Sequence, residues 1–161
     1  LSAACGLRAL VTLYHGSALE MPFEEACFDR AMMLHVGMNI TDKQTLMAEA
    51  ARVLTSGGLF CAYDMMRIGD GEITFPLPWA SDASVSAVAP PDTYIAAAAK
   101  AGFDLLAHHD GTVAAKPFID HVLATKPAPR DGAPPDRFRN LVAHIEAGLL
   151  APTELVFRKA G

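Results

Sequence analysis

Residues 28–64 decide the fold, and they read FDRAMML (28–34), HVGMNI (35–40), TDKQTLMAEAARVL (41–54), TSGG (55–58) and LFCAYD (59–64). The first and last segments are short apolar runs, which are typical of strands buried on both faces of a parallel sheet. Between them, apolar residues recur at helical spacing from Leu46 to Leu54, with Glu49 and Arg52 predicted to face outward. The stretch therefore predicts a right-handed βαβ unit, in which a glycine turn follows the helix.

The two predicted strands of this unit end at Leu34-His35 and at Tyr63-Asp64. In sheets of this kind, ligands bind beyond the carboxyl ends of the strands. We therefore expect the functional site at these two strand ends.

Composition limits the classes of protein that this chain can represent. The 161 residues, 52% of them hydrophobic, suffice for one domain with its own core. A formal net charge of −5 argues against a nucleic-acid partner, and the absence of an apolar run of about 20 residues argues against a membrane span. Three unclustered cysteines indicate thiols in a reducing compartment, so a cytoplasmic location is expected.

The rest of the chain shows further element signals. Residues 10–15 are predicted to form a strand before a loop at Pro22, and residues 65–89 lack periodicity, which is typical of a functional or mobile loop. The opening residues look like the last turns of a helix that Gly6 ends. Further elements are expected as a helix at 93–101, a strand at 103–108, a helix at 112–125, a loop at 126–136, a helix at 137–147 and a strand at 155–159.

Several short motifs follow one another along the chain in an order that is typical of one protein family. They are Met21-Pro22-Phe23, Phe28-Asp29, Asp42-Lys43, residues 52–58 with their double glycine, and Ala101-Gly102-Phe103. In this order and spacing the chain resembles the class I S-adenosylmethionine-dependent methyltransferases. The resemblance implies an α/β, Rossmann-like methyltransferase sheet with helices on both faces, a last strand that is antiparallel, and S-adenosyl-L-methionine as cofactor.

The resemblance lacks one part of the family pattern. The glycine-rich cofactor loop and the acidic residue that holds the ribose have no counterpart here, since Gly69-Asp70-Gly71 opens no helix. Residues 1–161 are therefore expected to be a single partial domain, truncated at the N-terminus, with 65–89 and 112–136 as substrate-side insertions. The family order 3-2-1-4-5-7-6 reduces to 4-5-7-6, which leaves residues 10–15 unpaired, displaced or matched to another chain. An exposed edge at Phe28–Leu34 would favour a homodimer, strand exchange or cover by an upstream segment.

The resemblance also assigns candidate site residues. Ser17 and Ala18 would contact the adenine, and Leu34 and His35 would line the methionine and methyl end of the cofactor. His35 and Asp64 are the candidate catalytic residues: His35 as a general base and Asp64 as a group that orients a substrate amine or hydroxyl. The alternatives are a packed histidine and an aspartate that caps the following turn. Candidate substrate contacts are Gly37, Met38, Asn39 and Trp79, the single tryptophan.

No metal site is expected. His108 and His109 are adjacent on a predicted strand, so their side chains point to opposite faces, and their spacing with Asp110 and His121 matches no metal motif.

The leading hypothesis is S-adenosylmethionine-dependent transfer of a methyl group to a nitrogen or oxygen atom of a small molecule, with help from an N-terminal segment. One alternative is a non-catalytic or truncated Rossmann-like module acting in assembly. A nicotinamide-dependent dehydrogenase is a third, although the chain contains no fingerprint for it.

Overall fold

The computed structural model describes residues 4–7, 9–125 and 136–161. The expected loop at 126–136 and the expected helix end at 1–5 thus lie largely outside the described residues. Two short 3₁₀ turns occur, at Gly37–Asn39 and at Ala83–Val85. The longer elements are β1 (Phe28–Leu34), α1 (Lys43–Val53), β2 (Leu54–Arg67), α2 (Pro91–Lys100), β3 (Phe103–Asp110), α3 (Thr112–Thr125), α4 (Arg137–Glu146) and β4 (Leu150–Lys159).

The described strands form one sheet in the order β1-β2-β4-β3. β1 and β2 are parallel, whereas β4 is antiparallel to both of its neighbours. This arrangement confirms the expected order 4-5-7-6 with its antiparallel last strand. It also confirms the βαβ unit as two parallel neighbours joined through α1.

Alternation along β2 separates the two faces of the sheet. Phe60, Ala62 and Met66 lie in a core that includes buried residues of α1 and α2. Met65 points the other way, into a second cluster with Leu77 and Leu150, against which α4 packs. Helices therefore cover both faces, as the resemblance implies.

The prediction that β1 is buried on both faces is wrong. Met33 is only 7% exposed, but Met32 is 69% and Leu34 is 52% exposed. β1 is an edge strand whose one ladder partner in the described chain is β2. Apolar composition therefore reports a strand that is fit for burial, while its neighbours decide whether burial occurs.

Residues 10–15 do not form a strand, although their composition favours one. They carry no ladder, and Leu10 and Leu13 are 81% and 86% exposed. This outcome agrees with the unpaired position that the family strand order predicts for them. A β-rich composition cannot make a strand without a neighbour to complete its hydrogen bonds.

Two strands begin earlier than predicted. β4 starts at Leu150 rather than at residue 155, and β2 starts at Leu54, so the predicted glycine turn becomes part of β2. The pairing shifts from Phe28 opposite Leu54 to Arg30 opposite Leu59, and Gly57 has φ +75°. The glycines therefore form a bulge inside the strand, which is a common role for glycine there.

The helical periodicity of α1 predicts that Glu49 and Arg52 face solvent, but in the structure both side chains bind the loop before β1. The Glu49 Oε2 accepts from the Met21 N–H at 2.9 Å, and Arg52 donates to the carbonyl oxygens of Met21 and Phe23 at 3.0 and 2.7 Å. Glu49 and Arg52 also form an ion pair with each other, with the Arg52 Nε 2.8 Å from the Glu49 Oε1. Together the two side chains attach the loop before β1 to helix α1. No helix in the described part of the chain is long and apolar enough to cross a membrane.

Candidate functional site

Two cavities lie on either side of the carboxyl end of β1. Leu34 lines a groove of about 380 Å³ together with Ala18, Met33 and Leu46, which we call the β1 groove. The next residue, His35, lines a different cavity of about 390 Å³, which we call the central pocket. Neighbouring side chains at one strand end therefore serve separate cavities.

The central pocket lies where parallel α/β sheets bind ligands. At the strand ends it is lined by His35, which follows β1, and by Tyr63 and Met65 near the end of β2. Its walls come from the 65–89 loop and from helices α3 and α4. The wall residues include Pro78, Trp79, Phe118, Ile119, Phe138, Leu141 and Ile145.

His35 has an unusual backbone conformation for a residue with a side chain, with φ +53°. Its N–H donates to the Tyr63 carbonyl at 2.8 Å, and the two rings meet edge to face with centroids 5.2 Å apart. Left-handed residues other than glycine are uncommon and cluster at functional sites. His35 is exposed and lines the central pocket, within the strand-end region that the sequence predicts.

Asp64 lies next to Tyr63 but points to the opposite face of β2, where it is fully buried. Its carboxylate accepts from the N–H groups of Met38 and Met65 at 2.7 and 3.1 Å and from the Tyr94 hydroxyl at 3.0 Å. Burial raises the pKa of Asp64, although these hydrogen bonds oppose the shift. Asp64 thus holds the Gly37–Asn39 turn and lines neither the β1 groove nor the central pocket.

Lys43 lies beside Asp64 at the Gly37–Asn39 turn, although the sequence indicated it only as part of the Asp42-Lys43 motif. It is 5% exposed, and its ammonium group donates to the carbonyl oxygens of Gly37, Ile40 and Ala87. Its Nζ also lies 5.0 Å from the centre of the Tyr94 ring. Burial lowers the pKa of Lys43, and the nearby Asp64 opposes this shift. Lys43 thereby ties the turn after β1 to the end of the 65–89 loop.

The sequence could have indicated that Lys43 contacts the preceding turn. Asp42 caps α1 by accepting from the Thr45 N–H at 2.9 Å, which makes Lys43 the first helical residue. A long side chain at that position can reach back to carbonyl oxygens of the preceding turn. Only the fold, however, brings Ala87 within reach of the same ammonium group.

The three predicted substrate contacts of the turn separate in the structure. Met38 is buried and lines the central pocket. Gly37 faces the core, where a Cβ atom would lie 2.7 Å from the Asp64 Oδ2. Asn39 is exposed, and its amide reaches the Val36 carbonyl at 3.4 Å. Of the three, only Met38 is placed to touch a ligand of the pocket.

Trp79 forms part of the pocket wall, as expected for a residue of a substrate-side loop. Its indole N–H donates to the Ser86 hydroxyl at 3.2 Å, which fixes the ring within the loop. Helix α4 holds the same loop, since Asn140 and Arg137 donate to the carbonyl oxygens of Pro76 and Leu77. The 65–89 loop is therefore a packed wall.

The predicted cofactor residues are brought together only in part. Ala18 shares the β1 groove with Leu34, whereas His35 lies in the central pocket. Ser17 sits in an exposed turn, where its hydroxyl oxygen accepts from the Leu19 N–H at 3.1 Å. The groove is lined almost wholly by apolar side chains, with Arg30 as its single charged residue. Its lining residues include no Asp or Glu that could hold a ribose.

Within residues 4–7, 9–125 and 136–161, no three His, Cys, Asp or Glu side chains are grouped so that they could hold a metal ion. The His109 Nδ1 lies 3.1 Å from the Glu154 carboxylate. Asp110 accepts from the Thr112 N–H at the start of α3. Both residues thus have structural partners.

Comparison with known proteins gives one match to a protein-family model and several to individual proteins. Residues 2–62 match the model of a methyltransferase domain. Over 57 residues the chain is 37% identical to ajmaline N-methyltransferase from Rauvolfia serpentina. These residues are 35% of this chain and 20% of that enzyme.

The fold matches solved structures over nearly the whole chain. Geranyl diphosphate C-methyltransferase from Streptomyces coelicolor is similar with a TM-score of 0.77 at 16% identity, over 99% of this chain and 56% of that one. The O-methyltransferase of a trans-AT PKS multienzyme from Brevibacillus brevis gives 0.63 at 16%, over 99% of this chain and 52% of that one. The chain thus spans about half of each structure.

Proposed function

We propose a function from the premise that this chain has the fold of the class I S-adenosylmethionine-dependent methyltransferases. The chain forms the carboxyl-terminal, substrate side of an enzyme that transfers a methyl group to a nitrogen or oxygen atom of a small molecule. Three proteins similar in sequence or fold are named for N-, C- and O-methyl transfer. The acceptor must therefore be argued from this chain's own pocket.

One observation supports this proposal most directly. The residues at the end of β1 belong to two cavities that adjoin there, with Leu34 in the β1 groove and His35 in the central pocket. Methyl transfer requires a donor and an acceptor held in line across such a boundary. The bound cofactor would supply an electrophilic methyl group, with Ala18 and Leu34 packed against its apolar surfaces.

The protein's own groups would prepare the acceptor. The His35 imidazole accepts the proton of an amine or hydroxyl nucleophile, and the Tyr63 hydroxyl beside it supplies a hydrogen bond. Asp64 and Lys43 hold the Gly37–Asn39 turn, whose Met38 lines the central pocket. The 65–89 loop, with Trp79, and helices α3 and α4 shield the pocket as its substrate-side walls.

Calorimetric titration with S-adenosylhomocysteine tests the cofactor half of the proposal. Because the β1 groove lacks partners for the polar ends of the cofactor, we expect binding by a chain extended upstream to the glycine-rich loop and none by residues 1–161 alone. Micromolar binding by the 161-residue chain would contradict this division of the site.

A matched pair of variants locates the binding surface on the extended chain. Leu34→Asp places a charge in the β1 groove and is expected to weaken binding at least about tenfold. Met32→Asp places the same charge on the same strand; it also lines the groove but is more exposed, so a smaller loss is expected. Equal affinity of the Leu34→Asp and unmodified proteins would refute the assignment.

A non-catalytic role in assembly is the second candidate, and the exposed edge of β1 favours it. Under this alternative, neither chain length binds S-adenosylhomocysteine, and the protein pairs through β1 as a homodimer or by strand exchange. A cytoplasmic location is proposed for either function, since Cys5, Cys27 and Cys61 are free thiols.

A further inference from the structure

We infer that the central pocket accepts an uncharged, mainly apolar molecule that carries its nucleophile at one end. This inference rests on the proposed function and names the class of acceptor for the same site. It depends on three properties of the pocket: its charge, its polar groups and its shape.

The pocket presents no permanent charge from the residues described. None of the side chains that line it is Lys, Arg, Asp or Glu. Three charged groups of the elements around the pocket have other partners: Asp64 and Lys43 are bonded in the core, and the Arg137 guanidinium donates to the Leu77 carbonyl. A charged acceptor that loses hydration there would gain no ion partner from the described lining residues, which is unfavourable.

The polar side chains of the pocket come from the ends of β1 and β2. The Trp79 indole N–H already donates to the Ser86 hydroxyl, so His35 and Tyr63 are the lining side chains that present polar groups to a ligand. His35 follows Leu34, which lines the β1 groove. A hydroxyl or amine of the acceptor therefore finds its hydrogen-bond partners at the end where the methyl group arrives.

The remaining walls select an apolar body with rings. Trp79, Phe118 and Phe138 present aromatic surfaces, and Leu141 and Ile145 line the side formed by α4. The volume of about 390 Å³ falls within the range of sites for small organic ligands. An acceptor with one or two rings satisfies both the size and the chemistry of these walls.

The single tryptophan gives a direct measurement of ligand binding. Trp79 lies in the pocket wall, so its fluorescence reports occupancy without a label. The probes are 4-phenylphenol, biphenyl-4-carboxylate and 4-phenylbenzylammonium, which share one apolar body and differ in charge. We expect the phenol to bind at least about tenfold more tightly than either ion. Equal or tighter binding of the carboxylate or the ammonium would overturn the inference.

A first pair of variants tests whether the probe occupies this pocket. Ala115 lines the pocket on α3, whereas its neighbour Ala114 is exposed and does not. Ala115→Leu should fill part of the cavity and weaken phenol binding at least about tenfold, while Ala114→Leu should leave it unchanged. Equal affinities of the two variants would place the probe elsewhere.

A second pair tests the role of charge. Ile145→Lys adds a cation to the pocket side of α4, and Ala143→Lys adds one to its exposed side. The first should weaken phenol binding and strengthen carboxylate binding, while the second should change neither. Should Ile145→Lys fail to fold by circular dichroism, the Ala115 pair and the three probes still decide the question.

Failure of this inference is distinguishable from failure of the proposed function. Probe binding is measured without cofactor, and cofactor binding is measured without probe. Phenol binding in a protein that binds no S-adenosylhomocysteine at either chain length would support the class of ligand for the central pocket and refute methyl transfer. Cofactor binding with a preference for an ionic probe would do the reverse.

Discussion

Single residues at the strand ends show how alternation assigns side chains to cavities. Tyr63 and Met65 reach the central pocket, while Asp64 between them enters the core with Phe60 and Ala62. The even positions of this strand could have indicated from the sequence that Asp64 is buried. The separation of Leu34 from His35 could not be predicted as readily, because it includes a left-handed residue at φ +53°.

Gly37 is required by close approach of its neighbours. An added Cβ atom would lie 2.7 Å from the Asp64 carboxylate, 2.8 Å from the Met33 methyl and 2.9 Å from the Tyr94 hydroxyl. We expect Gly37→Ala to lower the free energy of unfolding by about 1–3 kcal/mol, as overpacking does. Urea denaturation measures this change.

Gly161→Ala is the control for this substitution. Its Cβ atom would meet only the Ser56 hydroxyl, at 3.4 Å, so no change is expected. Equal stability of Gly37→Ala and the unmodified protein would show that the turn can move away from Asp64 without loss.

Burial of Asp64 makes part of the stability depend on pH. Because burial raises the pKa of its carboxyl group above the ordinary 3.8, the folded protein holds this proton more firmly than the unfolded chain. The associated stability is present at low pH and is lost as pH rises through the folded pKa.

The variant Asp64→Asn isolates this effect, since the amide does not titrate. We expect the unmodified protein to gain stability relative to Asp64→Asn as pH falls from about 7 to about 4. Urea denaturation of both proteins across this range gives the difference, in which all other titrating groups largely cancel. A difference that shrinks or stays constant on acidification would contradict the assignment.

Among the elements, strand β1 shows what local pattern can and cannot predict. Its bounds, Phe28–Leu34, match the prediction because seven apolar-rich residues end at a clear loop signal. The prediction that both of its faces are buried was wrong, because the sequence of a strand does not show which neighbours are present. The same reason explains residues 10–15, whose composition favours a strand but whose described surroundings offer no partner.

The two faces of β1 should respond differently to one substitution. Met32→Lys adds a charge to an exposed edge position and should alter stability by less than about 0.5 kcal/mol while reducing self-association. Met33→Lys buries the same charge in the core and should unfold the protein or destabilise it by several kcal/mol.

Analytical ultracentrifugation and thermal melting compare these two variants. Unchanged self-association of Met32→Lys would show that the β1 edge does not mediate contacts between chains. Comparable melting temperatures for the two variants would contradict the assignment of Met33 to the core.

For the whole molecule, the sheet order followed from the resemblance, whereas the two separate cavities did not. Order depends on a sequence of motifs that can be read along the chain. The central pocket combines β1, β2, the 65–89 loop, α3 and α4, and contacts between such distant segments leave little local trace. Its apolar lining residues, such as Leu141 and Ile145, look in sequence like ordinary helix core positions.

Local stability should differ strongly between the centre and the outer wall. Ala62 and Leu155 pair at the centre of β2 and β4 and are fully buried, whereas α3 has no buried residue and contains Pro117. We expect amide hydrogens of α3 to exchange fastest among the helices and those of central β2 and β4 to exchange slowest.

Hydrogen exchange followed by mass spectrometry tests this order. Addition of 4-phenylphenol should slow exchange in α3, because Phe118 and Ile119 line the pocket. Exchange in β2 as fast as that in α3 would contradict the arrangement of core and wall.

The order of the pocket-lining segments along the chain affects how recombination could change the pocket. Helices α3 and α4 follow one another along the chain, while the strand ends that carry His35 and Tyr63 come from an earlier stretch. A single recombination event after β3 could therefore exchange the helical part of the wall and leave the strand ends and the 65–89 loop intact. Chimaeras of related genes that share residues 28–110 but differ after β3 should take the part of the acceptor preference set by α3 and α4 from whichever parent supplied these helices.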